Sequence, residues 1–406
     1  MLTRKRHLSV LVMACAVMCI MTTPAIAQTS LAELQKLLQE KGTFDETALA
    51  ALQRGETVVR RATAQEKREI AVSGLVNVRA NAEEFLRSYR DSLTRKSNGA
   101  VLEIGSFGAA PTLADLASLT LEAEDVEDLK ACVVGNCEIK LSAAMIARFG
   151  REVNWQAPDY AQQATQLFKT MLLEYVKDYR ARGDAALIEY HDKQKEVQMA
   201  AEHQALARAS GYLNEIFHAA PQKASELRAV EEFLVWSKIK FGLKPVIAVN
   251  HVTIYKRDRD LGPQILAVSK QIYANHYFNS SLSLTGFVTV AGPTSYLVYE
   301  NRSRADGLEG PFGKFKRGII ENKVLEGLKG ILENSKVTLE APLMSRENAA
   351  ASAHASQGGW GRRLFGGIRP LLWFLIISAL IALLALRNYE GRTSRAGVKQ
   401  LKPEQR

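Results

Sequence analysis

The stretch that most constrains this 406-residue chain runs from Glu232 to Lys336. The segments EFLVWSKIKFG, KPVIAVNHVTIYKR, LAVSKQIYANHYFNSSLSLTGFVTV and TSYLVYENRSR follow one another, with RDRDLGPQ and VAGPT as turns. Apolar and aromatic runs separated by Gly, Pro and Asp clusters build antiparallel meanders. KFKRGIIENKVLEGLKGILENSK follows, with Phe315, Ile319, Ile320, Val324, Leu328, Ile331 and Leu332 recurring every three or four residues. That is the spacing of one helix face. A sheet face and a helix stripe of this kind bury each other. The expected class is α+β, with a curved antiparallel sheet gripping a long C-terminal helix.

The upstream part fits the same domain. Ile70, Val72, Leu75, Val76 and Val78 suggest a strand, and Asn81 caps the short helix AEEFLRSYRD. GAVLEIGSF and CEIKL are expected strands, and TLADLASL is a helical turn with Thr112 and Asp115 at capping-box spacing. From about 142 to 230 helical periodicity dominates. Ala161, Ala164, Leu167, Phe168, Met171, Leu172 and Tyr175 form one stripe ending at Gly183. A second helix is expected over Asp184 to His203 and a third around ASELRAVEEF. This block is an insertion into a domain spanning 67–336. Residues 28–66, with a capping box at Ser30 and Glu33 and a helix over Glu46 to Arg54, look like a helical appendage.

The ends carry targeting signals. Arg4, Lys5 and Arg6, an apolar run from Leu8 to Met21, and Ala25-Ile26-Ala27 make residues 1–27 a secretory signal peptide. An uncleaved anchor is the alternative. Leu371 to Leu386 is uncharged and preceded by Pro370. Its sixteen residues reach about 24 Å, and snorkelling by Arg369 and Arg387 brings it to the thickness of a hydrocarbon core. Residues 370–387 are therefore expected to form a single transmembrane helix. Residues 337–369 serve as linker and juxtamembrane segment, and 388–406 as a basic cytoplasmic tail. In a bacterium this is a single-pass inner-membrane protein with its main domain periplasmic and its C-terminus cytoplasmic.

Residues 1–27 carry a net +3 and residues 361–406 a net +7, which together equal the +10 of the whole chain. The folded domain is neutral, so the basic balance gives no support for nucleic-acid binding. Cys132 and Cys137, in ACVVGNC, are the cysteines left after signal removal. In an exported chain they read as a disulfide clip. No other His or Cys lies near them to complete a metal site.

Chemistry-bearing residues are sparse. His276 lies in QIYANHYFNSS, between Tyr273 and Tyr277. If it points into a pocket it is a candidate acid/base group, with Glu300 as a candidate orienting carboxylate. The alternative is a hydrogen-bonded core residue. YENRSRADGLEGPFGKFKRG adds Tyr299, Asn301, Arg302 and Arg304 as candidate ligand-binding residues at a pocket mouth. The alternative there is a solvated loop. His191 and His203 lack metal-ligand spacing and read as surface residues. HExxH, GxSxG and the P-loop spacing are absent, and no cofactor or metal is expected.

The order of elements, opened by SGLVNVRANAEEFLRSYRD and closed by the long helix, resembles the helix-grip fold of the START-like (polyketide-cyclase, Bet v 1-like) superfamily. The resemblance covers about 67–141 and 231–336; the helical insertion departs from it. It implies a cavity between sheet and helix holding a hydrophobic or lipid-like ligand, with Tyr273, His276, Tyr277, Tyr299, Asn301, Arg302 and Arg304 as candidate contacts. The expected function is a membrane-anchored periplasmic binding protein. An enzyme using His276 and a non-catalytic scaffold of an envelope complex are the alternatives.

Overall fold

The computed structural model describes residue 36 and residues 44–94, 100–218, 227–240, 244–257, 264–290, 294–308 and 313–355. The apolar runs at Leu8–Met21 and Leu371–Leu386 lie outside these residues. Among the described residues no helix is long and apolar enough to cross a membrane.

The chain is an α+β protein built on one eight-stranded antiparallel sheet. Its strands are β1 (Val58–Arg61), β2 (Glu69–Val78), β3 (Val101–Phe107), β6 (Leu227–Ile239), β7 (Val246–Arg257), β8 (Ile265–Ala274), β9 (Phe278–Thr289) and β10 (Ser295–Ala305). The spatial order is β1-β2-β10-β9-β8-β7-β6-β3, every neighbouring pair antiparallel. A small hairpin, β4 (Glu189–Tyr190) with β5 (Val197–Gln198), stands apart. The helices are α1 (Glu46–Gln53), α2 (Ala82–Ser92), α3 (Ala123–Ala131), α4 (Ala143–Glu152), α5 (Tyr160–Arg182), α6 (Met199–Arg208), α7 (Gly211–His218) and α8 (Gly313–Ala355).

Strand alternation sends successive side chains to opposite faces, and both faces are covered. On one, Ile320, Val324, Leu328, Ile331 and Leu332 of α8 and Phe85 and Tyr89 of α2 pack with Ile70, Val72, Val252, Ile254, Phe287 and Leu297. A Cβ on Gly74 would meet Leu332 Cδ1 at 2.5 Å, so glycine there lets α8 lie against β2. On the other face, α3, α4 and α5 cover Trp236, Ile247, Val249 and Tyr273. Farther along the same face, α1, α6 and α7 cover Leu266, Leu282, Leu284 and Val298. Capping is local: Asn81 and Glu84 form a full capping box on α2, and α5 ends at Gly183 with φ 59°. Cys132 and Cys137 are disulfide-bonded, their Cα atoms 4.5 Å apart.

Several expectations need correction. Leu227 to Phe233 of ASELRAVEEF are strand, not helix. The residues Leu227–Ile239 form β6, because pairing with β7 outweighs the helix preference of Glu and Ala, and β3 pairs with its second half. The insertion therefore ends before residue 227. Asp184 to His203 is a 3₁₀ turn and the β4–β5 hairpin before α6 begins. CEIKL is not a strand; its amides bond instead to Asp192 and Asn275 carbonyls. Residues 58–61 join the sheet as β1 and Phe44, Leu49 and Leu52 are core residues, so residues 44–66 pack into the domain. Phe315, counted in the α8 stripe, is 67 % exposed.

Candidate functional site

The face of the sheet turned to α8 is not uniformly apolar. β9 sends Phe287 and, by alternation, Thr285, Ser283 and Ser281 to this side, while Leu282 and Leu284 go to the other. The same register brings Ser269 beside Ser283, and Asn301 between Ser283 and Val72. Gln271 and Asn250 are paired across β7–β8, and Ser303 lies opposite Ser281. The result is a contiguous patch of neutral polar side chains across β7, β8, β9 and β10, none more than 5 % exposed.

Part of this patch is internally bonded. Ser281 Oγ and Ser303 Oγ are 2.7 Å apart, Asn301 Nδ2 donates to Ser281 Oγ at 3.2 Å, and Ser303 Oγ donates to Asn301 Oδ1 at 2.9 Å. The Tyr299 hydroxyl bonds to Ser283, and burial raises its pKa so far that it stays a neutral phenol. Gln271 is 2 % exposed and its Oε1 has no hydrogen-bond partner. The buried Ser73, Ser237, Ser280 and Ser335 hydroxyls share this state.

The same strands carry charge on the reverse face. Arg302 bonds Glu69 Oε1 at 2.6 Å, Glu300 Oε1 at 2.8 Å and the Thr63 carbonyl at 3.0 Å. Glu300 also accepts from Ser210 Oγ at 2.6 Å. Arg304 pairs with Glu66 at 2.7 Å and Glu202 at 3.0 Å, and Lys270 pairs with Asp184. These cations are each neutralised by carboxylates from β2, α6 and the connecting segments.

A second polar cluster surrounds the β8–β9 turn. His276 sits in this turn rather than within a strand, and Tyr277 beside it has φ 60°. His276 Nδ1 lies 3.1 Å from the Glu138 carbonyl and Nε2 lies 3.0 Å from Asp125 Oδ1. A carbonyl only accepts, so Nδ1 carries hydrogen, and Nε2 shares a proton with Asp125. Both ring nitrogens are committed, and the orienting carboxylate is Asp125 of α3, not Glu300. Nearby, Lys140 is 2 % exposed and pairs with Asp306 at 2.6 Å and Asp192 at 3.3 Å. Burial raises the Asp192 carboxyl above the usual carboxylate range, against the opposing pull of Lys140. Asn279 Nδ2 donates to Asp306 at 3.0 Å, tying the end of β10 to this cluster.

The expected site residues therefore divide among three places. Tyr299 and Asn301 join the α8-facing patch. Tyr273, Arg302 and Arg304 lie on the opposite face, where the Tyr273 hydroxyl donates to the Lys140 carbonyl at 3.1 Å. His276 and Tyr277 occupy the turn, where Tyr277 Oη accepts from Lys244 N at 3.1 Å. His203, expected at the surface, is 4 % exposed.

Sequence reasoning missed Asn250, Ser269, Gln271, Ser281, Ser283, Thr285 and Ser303. Their signal was present: S-x-Q at 269–271, S-x-S-x-T at 281–285 and N-x-S at 301–303 place small polar groups at strand period. A surface groove of about 390 Å³ beside Ser142, Met145, Tyr175, Ile188 and His191 contains none of the expected site residues. Among the described residues no group of three or more His, Cys, Asp or Glu could hold a metal ion. Comparison with family models, with curated proteins and with solved structures found no match.

Proposed function

We propose that the protein is a membrane-tethered binding protein whose ligand site is the polar face of the sheet beneath α8. The observation that carries this reading is Gln271, buried and unbonded at Oε1, within a continuous row of neutral hydrogen-bonding side chains. A core serving only stability gains more from aliphatic side chains at such positions, since hydrogen bonds there add little net energy. Helix α8 packs on the same side of the sheet, against β1 and β2. The START-like resemblance, which implies a ligand held between sheet and helix, adds to this reading. The span at 370–387 would hold the domain on the periplasmic side of a bacterial inner membrane.

Full-length protein purified in mild detergent should release a bound small molecule on denaturation, detected by mass spectrometry. Ser283→Phe, which fills the polar face, should remain folded by circular dichroism and carry none. Wild-type protein without any bound molecule, or retention by Ser283→Phe, counts against the reading.

An enzyme reading draws support from the meeting of His276, Asp125, Lys140, Asp192 and Asp306 at one turn. The occupied nitrogens of His276 and the depth of Lys140 favour a structural clamp there. A scaffold role rests on exposed apolar side chains; Val133 and Val134, at the disulfide tip, form the one adjacent pair among the described residues.

A further inference from the structure

Cys132 and Cys137 close a tight turn whose tip is Val133 and Val134, 56 % and 54 % exposed. Val133 N–H donates to the Asn136 carbonyl at 3.1 Å, Asn136 N–H returns a bond to the Val133 carbonyl at 2.9 Å, and Gly135 makes the bend at φ 82°. The turn is also fastened to the segment beside it. Gly135 N–H donates to the His191 carbonyl at 2.8 Å, Cys137 N–H to the Asp192 carbonyl at 2.9 Å, and Gln194 Nε2 to the Gly135 carbonyl at 3.2 Å. A single exposed valine is ordinary, but two adjacent ones on a cross-linked turn make a raised apolar knob. Held in shape already, such a knob loses little conformational entropy on docking.

His191, whose carbonyl holds Gly135, also borders the groove of about 390 Å³. Ala144 and Met145 of α4, Tyr175 of α5, Ala186 and Ile188 give that groove an apolar lining. The Tyr175 hydroxyl donates to the Ile272 carbonyl at 2.6 Å, so it is committed to the interior. Charges beside the knob and the groove are met within the chain: Glu189 by His191 at 2.9 Å and Glu138 by Lys193 at 3.4 Å. Two such faces can therefore meet without setting unpaired like charges against each other, which would be costly. A knob and a hollow side by side on one surface also meet the condition for a twofold contact, in which each copy supplies both halves. The geometry points to self-association: the Val133–Val134 knob of one copy seats in the Ala144–Ile188 groove of a second copy, and the reciprocal contact forms across the twofold axis.

The test is sedimentation velocity of the full-length protein in detergent over a concentration series, with lysine cross-linking of an equal mixture of heavy- and light-isotope protein. The expected result is a reversible monomer–dimer equilibrium, with cross-links joining heavy to light copies at Lys130 or Lys193, which flank the knob. Val133→Ser combined with Val134→Ser should weaken the dimer at least about tenfold. Ala144→Arg, which fills the groove from the exposed start of α4, should do the same. Both variants should keep the wild-type circular dichroism and the disulfide. Mixing them restores one sound contact per pair, so heavy–light cross-links return. A monomer at every concentration, or a dimer indifferent to both variants, overturns the proposal. A dimer lost with the valines but untouched by Ala144→Arg overturns it as well, because the valines then meet another surface.

Discussion

The two faces of β10 are one residue apart in sequence and opposite in chemistry. Asn301 and Ser303 face α8 and form neutral hydrogen bonds with Ser281. Arg302 and Arg304 face the other helices and form ion pairs with Glu69, Glu300, Glu66 and Glu202. The charged face binds together segments distant in sequence, from β2 to α6. The neutral face links β10 to its neighbour β9, and Gln271 Oε1 on β8 has no protein partner. Buried polar groups on one strand can thus tie distant segments together or stitch adjacent strands, and the two faces of β10 separate those roles.

Substitutions can sharpen that separation. Arg302→Met strands two buried carboxylates, Glu69 and Glu300. It should cost about 3–5 kcal/mol in denaturant unfolding, the largest effect expected here. A loss below about 1 kcal/mol would place the assembly role elsewhere. Gly74→Val forces a side chain against Leu328 and Leu332, where even a Cβ meets Leu332 at 2.5 Å. It should destabilise by about 1–3 kcal/mol through overpacking and increase hydrogen exchange along α8.

Acid should act on the helical side. Burial pushes the His203 imidazole down to about 3, below its ordinary 6.5. Within that window the unfolded chain binds a proton that the folded chain does not, so stability declines as pH falls from about 6.5 towards 3. His203→Leu should flatten this part of the stability profile; an unchanged slope would assign acid sensitivity to other groups. Smallest of all, the double change Ser281→Ala with Ser303→Ala removes both members of a hydroxyl pair. Both hydroxyls also bond the buried Asn301 amide, which still reaches the Leu282 carbonyl at 3.4 Å, so the cost in thermal unfolding should be about 1–2 kcal/mol.

The legibility of the sequence follows the range of the interactions involved. The α8 stripe, the cap at Asn81, the Gly183 stop of α5 and the strand meander all arise from local period and capping, and the structure contains each of them. β6 was misread over its first residues because its helix-favouring LRAVEE is overridden by pairing with β7. Asp125 as the partner of His276 lies 151 residues away, and no local pattern announces such a contact. The polar patch stood in between. Its two-residue spacing was readable, but aromatic residues and arginines drew the attention, and which face α8 covers is a tertiary fact.

Gln271→Leu tests the central claim most directly, through two readouts on the same protein. If the α8-facing patch is kept for a ligand, replacing an unbonded buried amide by an apolar side chain should leave unfolding stability unchanged or slightly raised, while the bound small molecule is depleted. A stability loss above about 2 kcal/mol with the bound molecule retained in full would contradict it, and would make Gln271 part of the structural core.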